Sequence, residues 1–362
     1  MSASLTRAPG LLAVGGLAAA LVLTGCGGSP PADGPSSSAV AATSSAPPTV
    51  ATPEPEPTTP TPTTSPPGIP DGASPLSGRP KGAGQPVLVV KYDNTRSAQP
   101  HAGLVDADVV YVEEVEYGLT RLAAVFSSRL PDQVGPIRSA RITDVDLLAQ
   151  YGRPAFAYSG AQSKLRPVLA DASFYDVSGD LGPTGYWRQS GRSAPYDFFG
   201  DPERLLARAP KAADAAPIGF VFADEAPEGG KPGTEAVVTW PAATTTFTWD
   251  KAEGAYEVSF DGSPAREASG GTQHATTVVI QYVKQTDSGY GDKFGGRTPL
   301  AHTVGEGKAT VLRDGKAYGT TWSRPSEEDG TTFTRVDGTP MAFAPGQIWV
   351  LLVAQERTAA LS

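Results

Sequence analysis

The sequence has 362 residues, a formal net charge of −9 at pH 7 and a single cysteine. The acidic balance excludes binding to nucleic acid or to an anionic membrane that rests on overall charge, so any anion site must be local. One cysteine also excludes a disulfide scaffold within the chain.

The first 26 residues have the layout of a bacterial export signal. A basic residue, Arg7, precedes an apolar run that ends at Leu23 and is too short and too rich in Gly and Ala for a spanning helix. Leu23-Thr24-Gly25-Cys26 resembles a lipobox, in which the signal is cut before the cysteine and the thiol is lipidated. We predict a signal peptide over residues 1–25 and a lipid bilayer anchor at Cys26, on the extracytoplasmic face of the bacterial cell membrane. The alternative is an ordinary secretory signal with an incidental cysteine.

Residues 26–74 contain mainly Ser, Pro, Thr and Ala, and few large apolar side chains. Such a segment buries too little surface to offset ordering, so it is predicted to be a disordered tether. The remaining residues are too many for one usual core. We therefore predict two domains, over residues 75–215 and 216–362.

The first domain alternates strands with helices. An apolar run over residues 87–90 ends in Lys91-Tyr92-Asp93-Asn94, which predicts a buried strand opening into a polar loop, a common place for ligands in open sheets. Further strands are predicted over residues 108–115, 122–126, 154–158 and 174–177. Helices are predicted over 142–151, capped by Ser139, over 163–170, and from Asp201-Pro202-Glu203 onward. This order predicts an α/β domain with a mixed sheet.

After residue 215 the runs are of the β type. Asp314-Gly315 and Asp337-Gly338 each separate two such runs, which predicts hairpins. We expect a β-rich domain resembling a sandwich or barrel, so that the fold class of the whole chain is α+β.

The candidate site is a set of arginines and carboxylates in the first domain. A Gly-Pro turn places Arg138 and Arg141 at the start of the predicted helix, where the exposed N–H groups already carry partial positive charge. A negative group is therefore expected beside them, either a carboxylate of the protein or a phosphate-like ligand. The candidate ligand-binding residues are Asp93, Asn94, Glu113, Glu116, Arg121, Arg138 and Arg141. They would bind an anionic envelope ligand or an envelope protein, or else form a structural ion-pair network.

An enzymatic alternative uses the same residues. The chain has no GxSxG elbow, its cysteine is consumed by the lipid, and its three histidines lack zinc-site spacing, so no catalytic residue or metal site is assigned. The alternative is a metal-dependent phosphotransferase or hydrolase acting on phosphate-linked cell-wall precursors or polymers. Arg121, Arg138 and Arg141 would clamp phosphate, while Asp93 and one glutamate would hold Mg²⁺. The apolar strand ending in Asp93 and the Arg-containing turn have a loose likeness to LytR-CpsA-Psr phosphotransferases.

Several motifs together resemble one family more closely. Pro100-His101-Ala102-Gly103-Leu104, Gly135-Pro136-Ile137-Arg138-Ser139-Ala140-Arg141, Ser193-Ala194-Pro195-Tyr196-Asp197-Phe198 and Tyr318-Gly319-Thr320-Thr321-Trp322 are similar to the YerB-like lipoproteins of bacteria. The resemblance implies an anchored envelope protein with paired N- and C-terminal domains and no established activity. Tyr158 and Tyr196 stand where a histidine is usual, and Asp197 where an asparagine is usual. If those imidazoles were catalytic in relatives, this chain has lost that function.

Overall fold

The computed structural model describes residues 68–292 and 294–362. The predicted signal peptide, Cys26 and the tether up to residue 67 lie outside the described residues. Residues 68–74, which were assigned to the tether, belong to the folded part. The backbone of Gly68 exchanges hydrogen bonds with Phe222, and the side chain of Ser74 is fully buried. The segment has few large apolar side chains, so its composition does not reveal these contacts.

Strands account for most of the regular structure. They are β1 Leu88–Asp93, β2 Val109–Glu114, β3 Thr120–Phe126, β4 Ala155–Ala157, β5 Tyr175–Asp176, β6 Tyr186–Arg188, β7 Phe198–Gly200, β8 Val221–Phe222, β9 Lys231–Pro232, β10 Glu235–Trp240, β11 Ala243–Asp250, β12 Ala255–Phe260, β13 Ser263–Pro264, β14 His274–Ala275, β15 Thr277–Val283, β16 Gln285–Gly291, β17 Arg297–Ala301, β18 Gly305–Arg313, β19 Lys316–Arg324, β20 Thr332–Arg335, β21 Ala342–Phe343, β22 Ile348–Ala354 and β23 Ala360–Leu361. The α-helices of the described residues are α1 Thr143–Ala149, α2 Arg166–Asp171 and α3 Pro202–Leu206.

One mixed sheet joins the two halves of the chain. Its strand order is β20-β19-β18-β15-β22-β2-β3-β1-β4-β5, with β9 beside β19. The halves meet where β2 runs parallel to β22, with Val109 opposite Ile348 and Val112 opposite Leu351. The sheet therefore crosses the predicted boundary at residues 215 and 216.

A second sheet covers one face of the first. It has the order β13-β12-β11-β10-β23, with β14 beside β12, and it packs Phe247 and Phe260 against Trp349 of β22. Leu147 and Leu148 of α1 pack on the opposite face with Val89 of β1. Because both faces are covered, the central strand β22 is apolar throughout.

The helices are shorter than the sequence predicted. They have seven, six and five residues, so the chain is β-rich overall and the predicted α/β character of residues 75–215 is weak. Asp201 caps α3 by accepting a hydrogen bond from the Arg204 backbone N–H, as predicted, at 3.1 Å. Ser139 does not cap α1, because that helix begins later, with Ile142 at the cap position.

No helix in the described part of the chain is long and apolar enough to cross a membrane.

Candidate functional site

The register of β1, β2 and β3 aligns three of the candidate residues. Asp93 at the end of β1 lies opposite Arg121 of β3, and Arg121 lies opposite Glu113 of β2. Strand alternation puts Lys91 on the same face, two residues before Asp93. The loop that leads into α1 pairs with the end of β1, where Tyr92 bridges Ile137, and it carries Arg138 and Arg141. We call the ionisable side chains gathered here the charge centre.

Asp93 connects two arginines. Its Oδ2 accepts a hydrogen bond from Arg138 Nε at 2.7 Å and lies 3.4 Å from Arg121 Nη2. Its Oδ1 accepts from the Thr95 N–H and hydroxyl at 2.7 and 2.6 Å. Burial alone would raise the pKa of Asp93, but Arg121, Thr95 and Arg138 outweigh it, so the pKa lies below its usual value. Burial lowers the pKa of Arg121 to about 10 despite the attraction of Asp93.

Glu116 and Arg141 form a bidentate ion pair. Arg141 Nε donates to Glu116 Oε1 at 2.8 Å, and Nη2 donates to Oε2 at 2.6 Å. Thr298 of β17 donates its hydroxyl hydrogen to the same carboxylate. Burial opposes ionisation of Glu116, but the bonds and charge of Arg141 and the bond from Thr298 bring its pKa below the usual value. The bond from Thr298 therefore connects the β2–β3 turn to the C-terminal half.

Glu113 is paired with a lysine, and not with one of the candidate arginines. Its Oε1 accepts from Lys91 Nζ at 2.7 Å, and the same ammonium donates to Asp144 of α1 at 2.6 Å. All three side chains are at most 1% exposed. Burial raises the pKa of Glu113 to about 8, the negative charge of Asp144 adds to the rise, and Lys91 opposes it.

Asn94 lies on the other face of the sheet. Its Nδ2 donates to Thr120 Oγ1 at 2.9 Å, and its buried Oδ1 has no partner in the described part of the chain. The nearby His101 is fully buried. Its Nε2 donates to the Asp93 carbonyl at 2.7 Å, while its Nδ1 accepts from Gln99 at 3.1 Å. This pattern requires a neutral ring, in agreement with burial lowering the pKa of His101 to about 4.

The charge centre is balanced in number but uneven in space. Its cations are Lys91, Arg121, Arg138 and Arg141, and its carboxylates are Asp93, Glu113, Glu116 and Asp144. Two arginines share Asp93, whereas two carboxylates share Lys91. The end of the centre at Asp93 therefore has an excess of positive charge. At the other end, the raised pKa keeps Glu113 protonated at neutral pH, so Lys91 faces the negative charge of Asp144 alone.

Comparison with known proteins identifies the family. Residues 75–216 match the N-terminal domain, and residues 236–350 the C-terminal domain, of the protein family of unknown function DUF3048. The chain belongs to the DUF3048 family. It is 24% identical over 290 residues to YerB of Bacillus subtilis (strain 168), a match covering 77% of this chain and 84% of that protein. The name of that relative provisionally designates it a lipoprotein.

A solved structure extends the likeness to the fold. The crystal structure of Bacillus subtilis YerB aligns with a TM-score of 0.66 at 22% identity, over 80% of this chain and 99% of that chain. The resemblance to YerB-like proteins inferred from the sequence is thereby confirmed.

Three residues depart from the family pattern that was inferred from the sequence, namely Tyr158, Tyr196 and Asp197. Tyr158 donates to Asp176 Oδ2 at 2.6 Å, and Asp197 accepts from Arg188 at 2.5 Å. Tyr196 follows a turn in which its N–H donates to the Ser193 carbonyl. The hydrogen bonds of these three residues are therefore made outside the charge centre.

Sequence reasoning missed Lys91, Asp144 and Thr298 as members of the charge centre. Lys91 carried a signal, since a lysine inside an apolar strand needs a buried counter-charge, and Asp93 two residues later marks the same face. Thr298 carried none, because its contact with Glu116 spans 182 residues.

Among the described residues, no group of three or more His, Cys, Asp or Glu side chains is placed to hold a metal ion.

Proposed function

We propose that this protein is a lipoprotein anchored through Cys26 on the extracytoplasmic face of the bacterial membrane. Its folded part binds an anionic ligand, or an acidic group of an envelope protein, at the charge centre. The anchor is supported by the lipobox and by the relationship to YerB. The binding activity is supported by the surroundings of Arg138.

Arg138 is the most exposed member of the centre. Its side chain is 27% exposed, against 16% for Arg141 and 7% for Arg121. Its Nε is bonded to Asp93, whereas its terminal Nη groups make no hydrogen bond to other described residues. A guanidinium with free terminal donors and an excess of positive charge behind it is suited to a carboxylate or a phosphate.

The phosphotransferase alternative receives less support from the same geometry. A carboxylate that holds Mg²⁺ must offer a free oxygen to the ion. Both oxygens of Asp93 already accept hydrogen bonds, from Thr95 and from Arg138. Binding needs no rearrangement of Asp93, so we favour a binding protein over a metal-dependent enzyme.

Thermal unfolding with inorganic pyrophosphate, with and without Mg²⁺, tests the binding proposal. The wild-type midpoint should rise as pyrophosphate is added, because a ligand that binds the folded state stabilises it. Arg138→Gln should abolish the rise, while Arg129→Gln, an exposed arginine outside the centre, should retain it. If Arg138→Gln unfolds the protein and no anion shifts the wild type, the charge centre is a structural network alone.

Cell fractionation tests the anchor separately. Cys26→Ser should move the protein out of the membrane fraction, and protease added to spheroplasts should degrade the wild-type protein. Retention of Cys26→Ser in the membrane fraction would disprove lipid anchoring at this residue without bearing on ligand binding.

A further inference from the structure

A cleft of about 330 Å³ lies on the other side of Asp93, between the two halves of the chain. One wall is the segment after β1, from Asn94 to Gln99, and the other runs from Phe260 to Arg266 around β13. We call it the interface cleft. Its volume lies at the lower end of the range for small-molecule sites, which often occur where two domains meet.

The interface cleft is locally cationic in an acidic chain. Arg96 and Arg266 line it from different halves, both are exposed, and neither forms an ion pair with a carboxylate in the described part of the chain. One carboxylate, Asp261, also lines the cleft, and it accepts a hydrogen bond from the Thr244 N–H at 2.8 Å. Two guanidinium groups against one carboxylate leave an excess of positive charge.

The polar groups between the arginines are fixed in place. Gln99 accepts a hydrogen bond from the Arg266 N–H at 3.3 Å and donates to buried His101, so it joins the two walls. Thr95 is held by its two bonds to Asp93. Asn94 is 6% exposed, and its Oδ1 is left without a partner. A buried carbonyl oxygen without a donor is costly, and a ligand hydroxyl would satisfy it.

We infer that the interface cleft binds a small polyhydroxylated molecule that carries one anionic group. The anionic group, a phosphate or a carboxylate, lies between Arg96 and Arg266, and a hydroxyl donates toward Asn94. A sugar phosphate or a sugar acid has this chemistry. This site is separate from the one proposed at Arg138, because Arg138 does not line the cleft.

Calorimetric titration of the folded part tests the inference with four probes. They are glucose 6-phosphate, glucuronate, inorganic phosphate and glucose, each used up to about 10 mM so that millimolar affinity is detected. We expect glucose 6-phosphate or glucuronate to bind more tightly than inorganic phosphate, and glucose to show no binding. Which of the two binds distinguishes a phosphate site from a carboxylate site.

Variants locate the binding. The double variant Arg96→Gln/Arg266→Gln should weaken the affinity about tenfold or more, since it removes both charged partners of the anion. Arg129→Gln, which removes an exposed arginine that does not line the cleft, should leave the affinity unchanged. The inference is overturned if neither charged sugar binds, if glucose binds equally well, or if the double variant binds as the wild type does.

Discussion

At the scale of single residues, the most unusual group is the ammonium of Lys91. It is fully buried in the sheet, and it is compensated by Glu113 and Asp144. A buried charge loses its hydration, and this cost is recovered only when well-placed counter-charges surround it. The three groups therefore depend on one another.

Replacing the ammonium should be costly. Lys91→Met keeps the bulk of the side chain but leaves the buried carboxylate of Asp144 without its cation and Glu113 without its hydrogen-bond donor. The free energy of unfolding should fall by about 3–5 kcal/mol, measured by urea denaturation. Lys164→Met on the exposed surface is the matched control and should change it by less than about 0.5 kcal/mol. A loss of similar size in both variants would show that Lys91 has no special role.

Glu113 makes stability depend on pH. Burial raises its pKa from 4.5 to about 8, so between these values the folded protein holds a proton that the unfolded chain releases. The stabilisation is complete below pH 4.5 and is lost as the pH rises through about 8. Glu113→Gln has no such proton, so its thermal midpoint should fall less than that of the wild type over this range. Glu203→Gln makes the same change of charge at an exposed position, and its pH profile should follow the wild type. Parallel profiles for wild type and Glu113→Gln would contradict the assignment.

At the scale of elements, the sequence predicted what local pattern determines. The apolar runs at β1, β2 and β3, the α3 cap at Asp201 and the Asp314-Gly315 hairpin are all present. The predicted start of α1 was right to one residue, but Ser139 is not its cap, and Arg138 and Arg141 precede the helix. The chain from Gly135 to Ile142 follows contacts with β1 rather than helical propensity. One such contact is the Arg138 N–H bond to the Lys91 carbonyl.

Asp108, just before β2, shows how one side chain fixes several segments. It is fully buried and accepts hydrogen bonds from the N–H groups of Ser127 and Ser128 at 2.9 and 2.8 Å. The hydroxyl groups of Ser77 and Ser128 donate to its other oxygen. The carboxylate thus joins the segment before β1 to the end of β3.

Removing that carboxylate should release both segments. Asp108→Ala leaves buried donors unsatisfied, so the free energy of unfolding should fall by about 3 kcal/mol or more. Hydrogen exchange at the Ser127 and Ser128 amides should accelerate more than exchange within β3. Asp106→Ala is the control, since that residue contributes its backbone carbonyl to Arg79. Unchanged exchange at Ser127 and Ser128 in Asp108→Ala would refute this account.

At the scale of the whole molecule, the sequence could not show which strands meet across the halves. Local patterns give strands but not their partners, and β2 and β22 are separated by more than 200 residues. The same limit applied to the candidate site. The pairing of Arg141 with Glu116 and of Lys91 with Asp144 depends on elements that only the complete fold brings together.

The shared sheet predicts that the halves fold as one unit. Alone, residues 75–215 would expose the β2 edge from Val109 to Val112, and the face of the sheet that the second sheet covers. An unpaired apolar edge without its covering layer does not form a stable core. Scanning calorimetry of residues 68–362 should therefore give one transition, with equal calorimetric and van 't Hoff enthalpies. The fragment 75–215 should show no cooperative unfolding at all. Two resolved transitions in the longer chain, or a cooperative transition in the fragment, would mean that each half has an independent core.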